Sequence, residues 1–227
     1  MKNAIFFKIY IVFSIVYLII LFRGNENLDL FLKPALVPLL GFGVYFHRKF
    51  PSRKILLTGL FFSWIGDIVL LFADIADIYF ILGLVCFLIA HLSYCVLFNK
   101  QITAEINFNR FIFACGSLLI AGYLIGMVCF LMPKLGELKI PVIVYAAVIS
   151  TMVLFAFNGY LIWKKPGALY VFLGSMVFVL SDSILAINKF HTAIERSAFF
   201  IMVTYLVAQY LIVIGIIKLN KKISPQV

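Results

Sequence analysis

Acidic residues are scarce in this chain, and so is charge of either sign: among 227 residues, 9 are Asp or Glu, 19 are Lys or Arg, and 12% are charged. A soluble domain is about 45–50% apolar, whereas 65% of this chain is hydrophobic and its mean hydropathy is +1.14. A soluble globular protein is thereby excluded. Cysteine is sparse too. Cys86, Cys95, Cys115 and Cys129 all fall in apolar stretches and form no Cys-x-x-Cys pair, so they read as small hydrophobic side chains. His47, His91 and His191 are too scattered to build a metal site by spacing, and only His91 is embedded in an apolar run. There is no His-Glu-x-x-His, no glycine-rich phosphate loop and no nucleophile-elbow serine. Neither a metal nor a cofactor is called for.

What is present in abundance is long apolar sequence. A hydrocarbon core of about 30 Å needs roughly 20 apolar residues per helix, each satisfying its own backbone. Eight such runs are legible, at 4–22, 30–47, 54–72, 78–98, 110–131, 139–163, 167–187 and 197–218. The reading is an all-α integral membrane protein, an eight-transmembrane-helix bundle forming one transmembrane domain over residues 1–227. The first run follows Lys2 and Lys8 and imitates a secretory signal, but LIILFRGNEN offers no small-x-small cleavage site, so it is kept as a helix.

The net charge of +10 is explained by topology. With eight helices both termini share one side, which collects Lys2, Lys8, Arg48, Lys49, Arg53, Lys54, Lys100, Arg110, Lys164, Lys165, Lys218, Lys221 and Lys222. The other side has only Arg23, Lys134, Lys139, Lys189 and Arg196, and Lys33 is left inside the second run. The positive-inside rule then puts both termini in the cytoplasm, as in a multi-pass protein of a bacterial inner membrane. The basic excess suits anionic lipid headgroups; a nucleic-acid partner is not expected.

Against this background two carboxylates stand out, Asp67 in FFSWIGDIVLLF and Asp182 in YVFLGSMVFVLSDSILAI. An ionised carboxylate at membrane depth costs a few kcal/mol or more, and such residues usually face a bundle interior and mark a functional site. Both runs travel outward and each Asp lies five residues, about 7.5 Å, from the outer end, so equal depth is expected. Lys33 and Asn188 join them in the outer third, with His91 nearer the midplane as a floor.

Helical faces support an inward orientation. Gly59, Ser63, Gly66 and Asp67 follow the i, i+4, i+7, i+8 pattern, as do Gly174, Ser175, Phe178, Ser181 and Asp182; small residues of this kind let helices approach closely. Gly83, Phe87, Ala90, His91 and Tyr94 form a stripe on the fourth run, and Tyr205 and Gln209 share a face of the eighth. Gly-Asp-x-x-Leu at Gly66 and Ser-Asp-x-x-Leu at Ser181 lie 115 positions apart, four helices later. This spacing suggests two parallel four-helix repeats, although His91 and Lys33 have no polar counterparts at that offset.

Taken in order, LKPALVPLL, WIGDIVLLF, YFILGLVCFLIAHLSYCVLF and LGSMVFVLSDSILAINKF resemble the successive motifs of the YhhN membrane-protein family, which includes the lysoplasmalogenases. The resemblance spans essentially the whole chain. It implies hydrolysis of the vinyl ether bond of a lysophospholipid substrate, a lysoplasmalogen, giving a fatty aldehyde and a glycerophospho-ethanolamine or -choline. The family pattern falls on Lys33, Pro34, Gly66, Asp67, His91, Tyr94, Ser181, Asp182 and Asn188.

The chemistry agrees with the residues. A vinyl ether hydrolyses by protonation of the carbon β to oxygen, and water then captures the oxocarbenium ion. A carboxyl group in an apolar pocket is disfavoured as the anion and can deliver such a proton; a second carboxylate can steady the cation, as in glycoside hydrolysis. Asp67 and Asp182 are the expected catalytic pair. Lys33 suits a phosphate, or pairs with an aspartate; Ser181 and Asn188, one heptad apart, suit a water or a glycerol hydroxyl; His91 and Tyr94 complete the substrate-binding set. Some of the 25 phenylalanines line a path for a chain entering sideways from the membrane lipid. Two other classes also want embedded acids or a lipid pocket: a proton-coupled transporter, which would show flux without product, and a lysolipid-binding protein, which would leave its ligand intact.

Overall fold

The computed structural model describes residues 2–24, 28–101 and 109–221. Lys222 lies outside them, and so does the side chain of Lys2. Among the described residues there are eight α-helices and no strand: α1 Lys2–Phe22, α2 Asp29–Tyr45, α3 Arg53–Leu70, α4 Asp77–Gln101, α5 Arg110–Leu131, α6 Lys139–Ile162, α7 Gly167–Phe190 and α8 Ser197–Asn220. Six of them, α1 and α4 to α8, are long and apolar enough to cross a membrane. The other two fall outside that set, α2 because it is short and α3 because it holds three charges. At 17 and 18 residues, α2 and α3 are about 26 and 27 Å long; α2 includes Asp29 and Lys33, and α3 includes Arg53, Lys54 and Asp67.

Helix ends follow local chemistry. Asn109 caps α5 by accepting from the backbone N–H of Phe111 at 3.0 Å and of Ile112 at 3.2 Å, which satisfies two of the otherwise orphaned donors of a first turn. After Leu70 the chain tightens into i+3 bonds, Leu71 N–H to Ile68 O and Phe72 N–H to Val69 O, so α3 stops two residues short of its apolar run. α7 instead continues past its run to Phe190, with Lys189 in the last turn, where a cation complements the helix dipole. Measured from their own helix ends, Asp67 is three residues in and Asp182 eight, about 4.5 and 12 Å. The apolar runs gave five residues for each.

Contacts divide the chain into two compact units, residues 1–97 and 98–227, with the boundary inside α4. In the first unit α1 packs on α2 and α2 on α3, while α3 meets α4 through glycine. A Cβ built on Gly59 would lie 2.7 Å from the Tyr94 ring, so that ring fits only because position 59 has no side chain. α2 holds two internal prolines, Pro34 and Pro38. Because Pro38 has no N–H, the Pro34 carbonyl loses its helical donor; Trp64 of α3 replaces it, donating Nε1–H to Pro34 O at 2.7 Å.

In the second unit α5 packs on α6, α6 on α7 and, most extensively, α7 on α8. A Cβ on Gly215 would meet the Val171 backbone N at 2.8 Å, and one on Gly174 the Ile212 backbone N at 2.9 Å. The two helices touch along their backbones, which only small residues permit. Phe178 and Tyr205 seal the seam edge to face at 5.5 Å. A satellite cluster of Leu131, Leu135 and Val142 joins α5 to α6.

Candidate active site

In the first unit the buried residues of α3 are Leu56, Gly59, Leu60, Ser63, Gly66 and Asp67, which include the Gly59, Ser63, Gly66 and Asp67 stripe read from the sequence. Asp67 is 3% exposed. Around it the fold adds two residues that sequence reasoning passed over. Tyr17 of α1, itself buried, donates its hydroxyl to Asp29 Oδ1 of α2 at 2.5 Å, and Asp67 lies close enough for its charge to act on the same phenol. Lys33 follows Asp29 by one helical turn and is half-buried; residues at i and i+4 share a face. Tyr17 and Asp29 thus form a hydrogen-bonded pair, with Lys33 on an adjoining turn of α2 and the Asp67 charge acting from α3. His91 and Tyr94 are wholly buried on α4, and the Tyr94 ring packs against Gly59.

In the second unit Asp182 is half-buried on α7 and accepts a very short hydrogen bond on Oδ2 from the Tyr145 hydroxyl of α6. Tyr145, also missed from the sequence, is buried. Its neighbour Ser181 faces α8 and donates to Ile201 O at 3.0 Å. Asn188 accepts from the Ile194 N–H at 2.9 Å, fixing the turn into α8. Ser181 and Asn188 therefore share a face, as read, and each already has a backbone partner. On α8 the expected pair is bonded directly, Gln209 Nε2 donating to Tyr205 Oη at 3.3 Å.

Asp182 sits beside a tyrosine hydroxyl from an earlier helix of its own unit. A carboxyl group oriented by a phenol keeps its other oxygen in a fixed direction, where it can pass a proton or align a water. Among the described residues no group of three His, Cys, Asp or Glu could hold a metal, and all four cysteines are free.

An all-helical, multi-pass membrane protein with carboxylates set in its apolar helices is the class these features define. The chain belongs to the YhhN family, whose sequence profile matches residues 28–216. Over 193 residues it is 31% identical to lysoplasmalogenase TMEM86A of Homo sapiens and 29% identical to lysoplasmalogenase TMEM86A of Bos taurus, covering 82% of this chain and 75% of each relative. No solved structure matches it.

Proposed function

We propose that this protein is an intramembrane hydrolase that cleaves the vinyl ether bond of lysoplasmalogens, releasing a fatty aldehyde and a glycerophospho-ethanolamine or -choline. The observation that carries the reading is the pair of embedded aspartates, one on α3 and one on α7, in a chain whose relatives are named lysoplasmalogenases. One carboxyl group protonates the alkenyl carbon β to the ether oxygen. The carbon bound to oxygen becomes an oxocarbenium ion, the second carboxylate steadies it and aligns water, and attack gives a hemiacetal. Its collapse returns the proton, breaks the carbon–oxygen bond to glycerol and frees the aldehyde. Lys33 holds the phosphate, and Tyr145 keeps Asp182 in line.

The same reading takes all eight helices as spans, with both termini cytoplasmic, and treats the chain as a duplication. Supporting the duplication, Gly59 and Gly174, Asp67 and Asp182, and the wholly buried Tyr94 and Gln209 are each 115 positions apart. The test is aldehyde release from a lysoplasmalogen by purified protein. Asp67→Asn and Asp182→Asn should each lower the rate more than about a hundredfold, the scale of a lost general acid or base, with thermal stability retained. Unchanged rates in either variant would remove that residue from the mechanism.

A further inference from the structure

Between α2 and α3 runs a groove of about 540 Å³, lined by apolar side chains that include Pro38, Phe42, Leu60, Phe61 and Trp64, and by Gly41. It lies wholly in the first unit. Its volume is in the range of small-molecule sites, roughly 300–1,000 Å³. The groove opens sideways: Phe42 and Phe61 are 51% and 50% exposed, so in a bilayer they face acyl chains. Its existence follows from the sequence of α2. Gly41 has no side chain to fill it, and a Cβ there would meet nothing within 4 Å.

One end of the groove has a fixed chemical character. Trp64 is pinned to Pro34 O at 2.7 Å, and Lys33 immediately precedes Pro34. Asp67 lies three residues beyond Trp64 on α3, and Leu60, which lines the groove, lies two turns behind Asp67 on the same buried stripe. Cation, carboxylates and phenol therefore gather past one end of an apolar trough, and that trough continues along α3 for about 10 Å from Trp64 to Leu57. This is the polarity of a single-chain phospholipid. At the other end the Arg53 guanidinium is taken up by Tyr45, donating to its carbonyl at 3.1 Å and lying 5.5 Å from its ring, and no carboxylate lines the groove there.

We infer that the α2/α3 groove holds the fatty chain of the lysolipid substrate, with its ether end at Trp64 and its methyl end toward Tyr45. The inference rests on the hydrolase reading and adds the chain subsite. Lipid tails are as apolar as the groove, so transfer from bilayer to groove contributes little affinity. The groove sets register: it holds the chain so that the reactive bond stops beside Asp67. Chain length, rather than apolarity, is what it selects.

The experiment uses the full chain in lipid nanodiscs. A Trp163→Phe background leaves Trp64 as the single tryptophan of the two. The probes are non-hydrolysable alkyl-ether lysolipids brominated near the ether or near the methyl end, and lysoplasmalogens of short and long chain. Bromine near the ether should quench Trp64 more strongly than bromine near the methyl end. Gly41→Phe, whose ring enters open space, should abolish the quenching and lower kcat/KM for the long chain by about tenfold or more while sparing the short one, as a mis-sized apolar pocket does. Leu57→Trp, at the far end, should shift the length preference in the same direction and guards against misfolding of the first variant. Aldehyde release with no Trp64 quenching, or with the unsubstituted protein's length profile kept in both variants, would overturn the groove assignment and leave the hydrolase standing. Position-dependent quenching that Gly41→Phe removes, with no aldehyde from any chain, would uphold the groove and overturn the hydrolase. Quenching equal for brominated bulk lipid and lysolipid would mean an ordinary bilayer contact, and also overturns the inference.

Discussion

The two units place an aspartate on their third helix and surround it differently. In the first, α2 contains two prolines, is pinned to α3 by Trp64 and shares an open apolar groove with it, and Asp67 is buried on α3. In the second, α7 and α8 lie backbone against backbone, and half-buried Asp182 is held by Tyr145. The difference suits the proposed division of labour, in which the first unit receives an apolar chain and the second, closed along its main seam, holds a carboxyl group still.

Glycine substitution is the sharpest way to break this comparison. Gly215→Ala drives a methyl group into the Val171 backbone at 2.8 Å and should cost about 1–3 kcal/mol, as overpacking does. Gly41→Ala in the first unit meets open space and should be neutral or stabilising by up to about 1 kcal/mol, because alanine favours the helix. Thermal unfolding in detergent measures both; equal losses would erase the contrast. A comparable effect, on rate rather than stability, is expected at Tyr145→Phe, which keeps the ring and removes the hydroxyl from Asp182. A hydrogen bond to a charged group is worth about 1.5–3 kcal/mol, so kcat should fall about tenfold or more with KM nearly constant; a rise in KM alone would make Tyr145 a substrate contact instead. The smallest is Trp64→Phe, which orphans the Pro34 carbonyl and should destabilise by about 1 kcal/mol, read from the unfolding midpoint.

The helices and their small-residue faces were legible because apolar runs and 3.6-residue spacing are properties of sequence alone. Asp67 and Asp182 were legible because charge in an apolar run is an energetic anomaly. Tyr17 and Tyr145 were not, since a tyrosine in such a run offers no contrast until the fold shows what its hydroxyl reaches. Asp29 stands just outside the second apolar run and so presents no such anomaly, although its spacing of four from Lys33 was a signal. The backbone bonds of Ser181 and Asn188 depend on where α8 lies, which no local pattern encodes. The helix ends shifted for a related reason: polar Asn188 and Lys189 end an apolar run without ending a helix.

The central claim is the reaction, and one assay reaches it most directly: product analysis of purified protein offered vinyl ether, alkyl ether and acyl lysolipids of matched chain length. The account predicts fatty aldehyde from the vinyl ether substrate alone, since only that bond has a β carbon to protonate. Release of fatty acid from the acyl lysolipid, or intact recovery of all three, would contradict it.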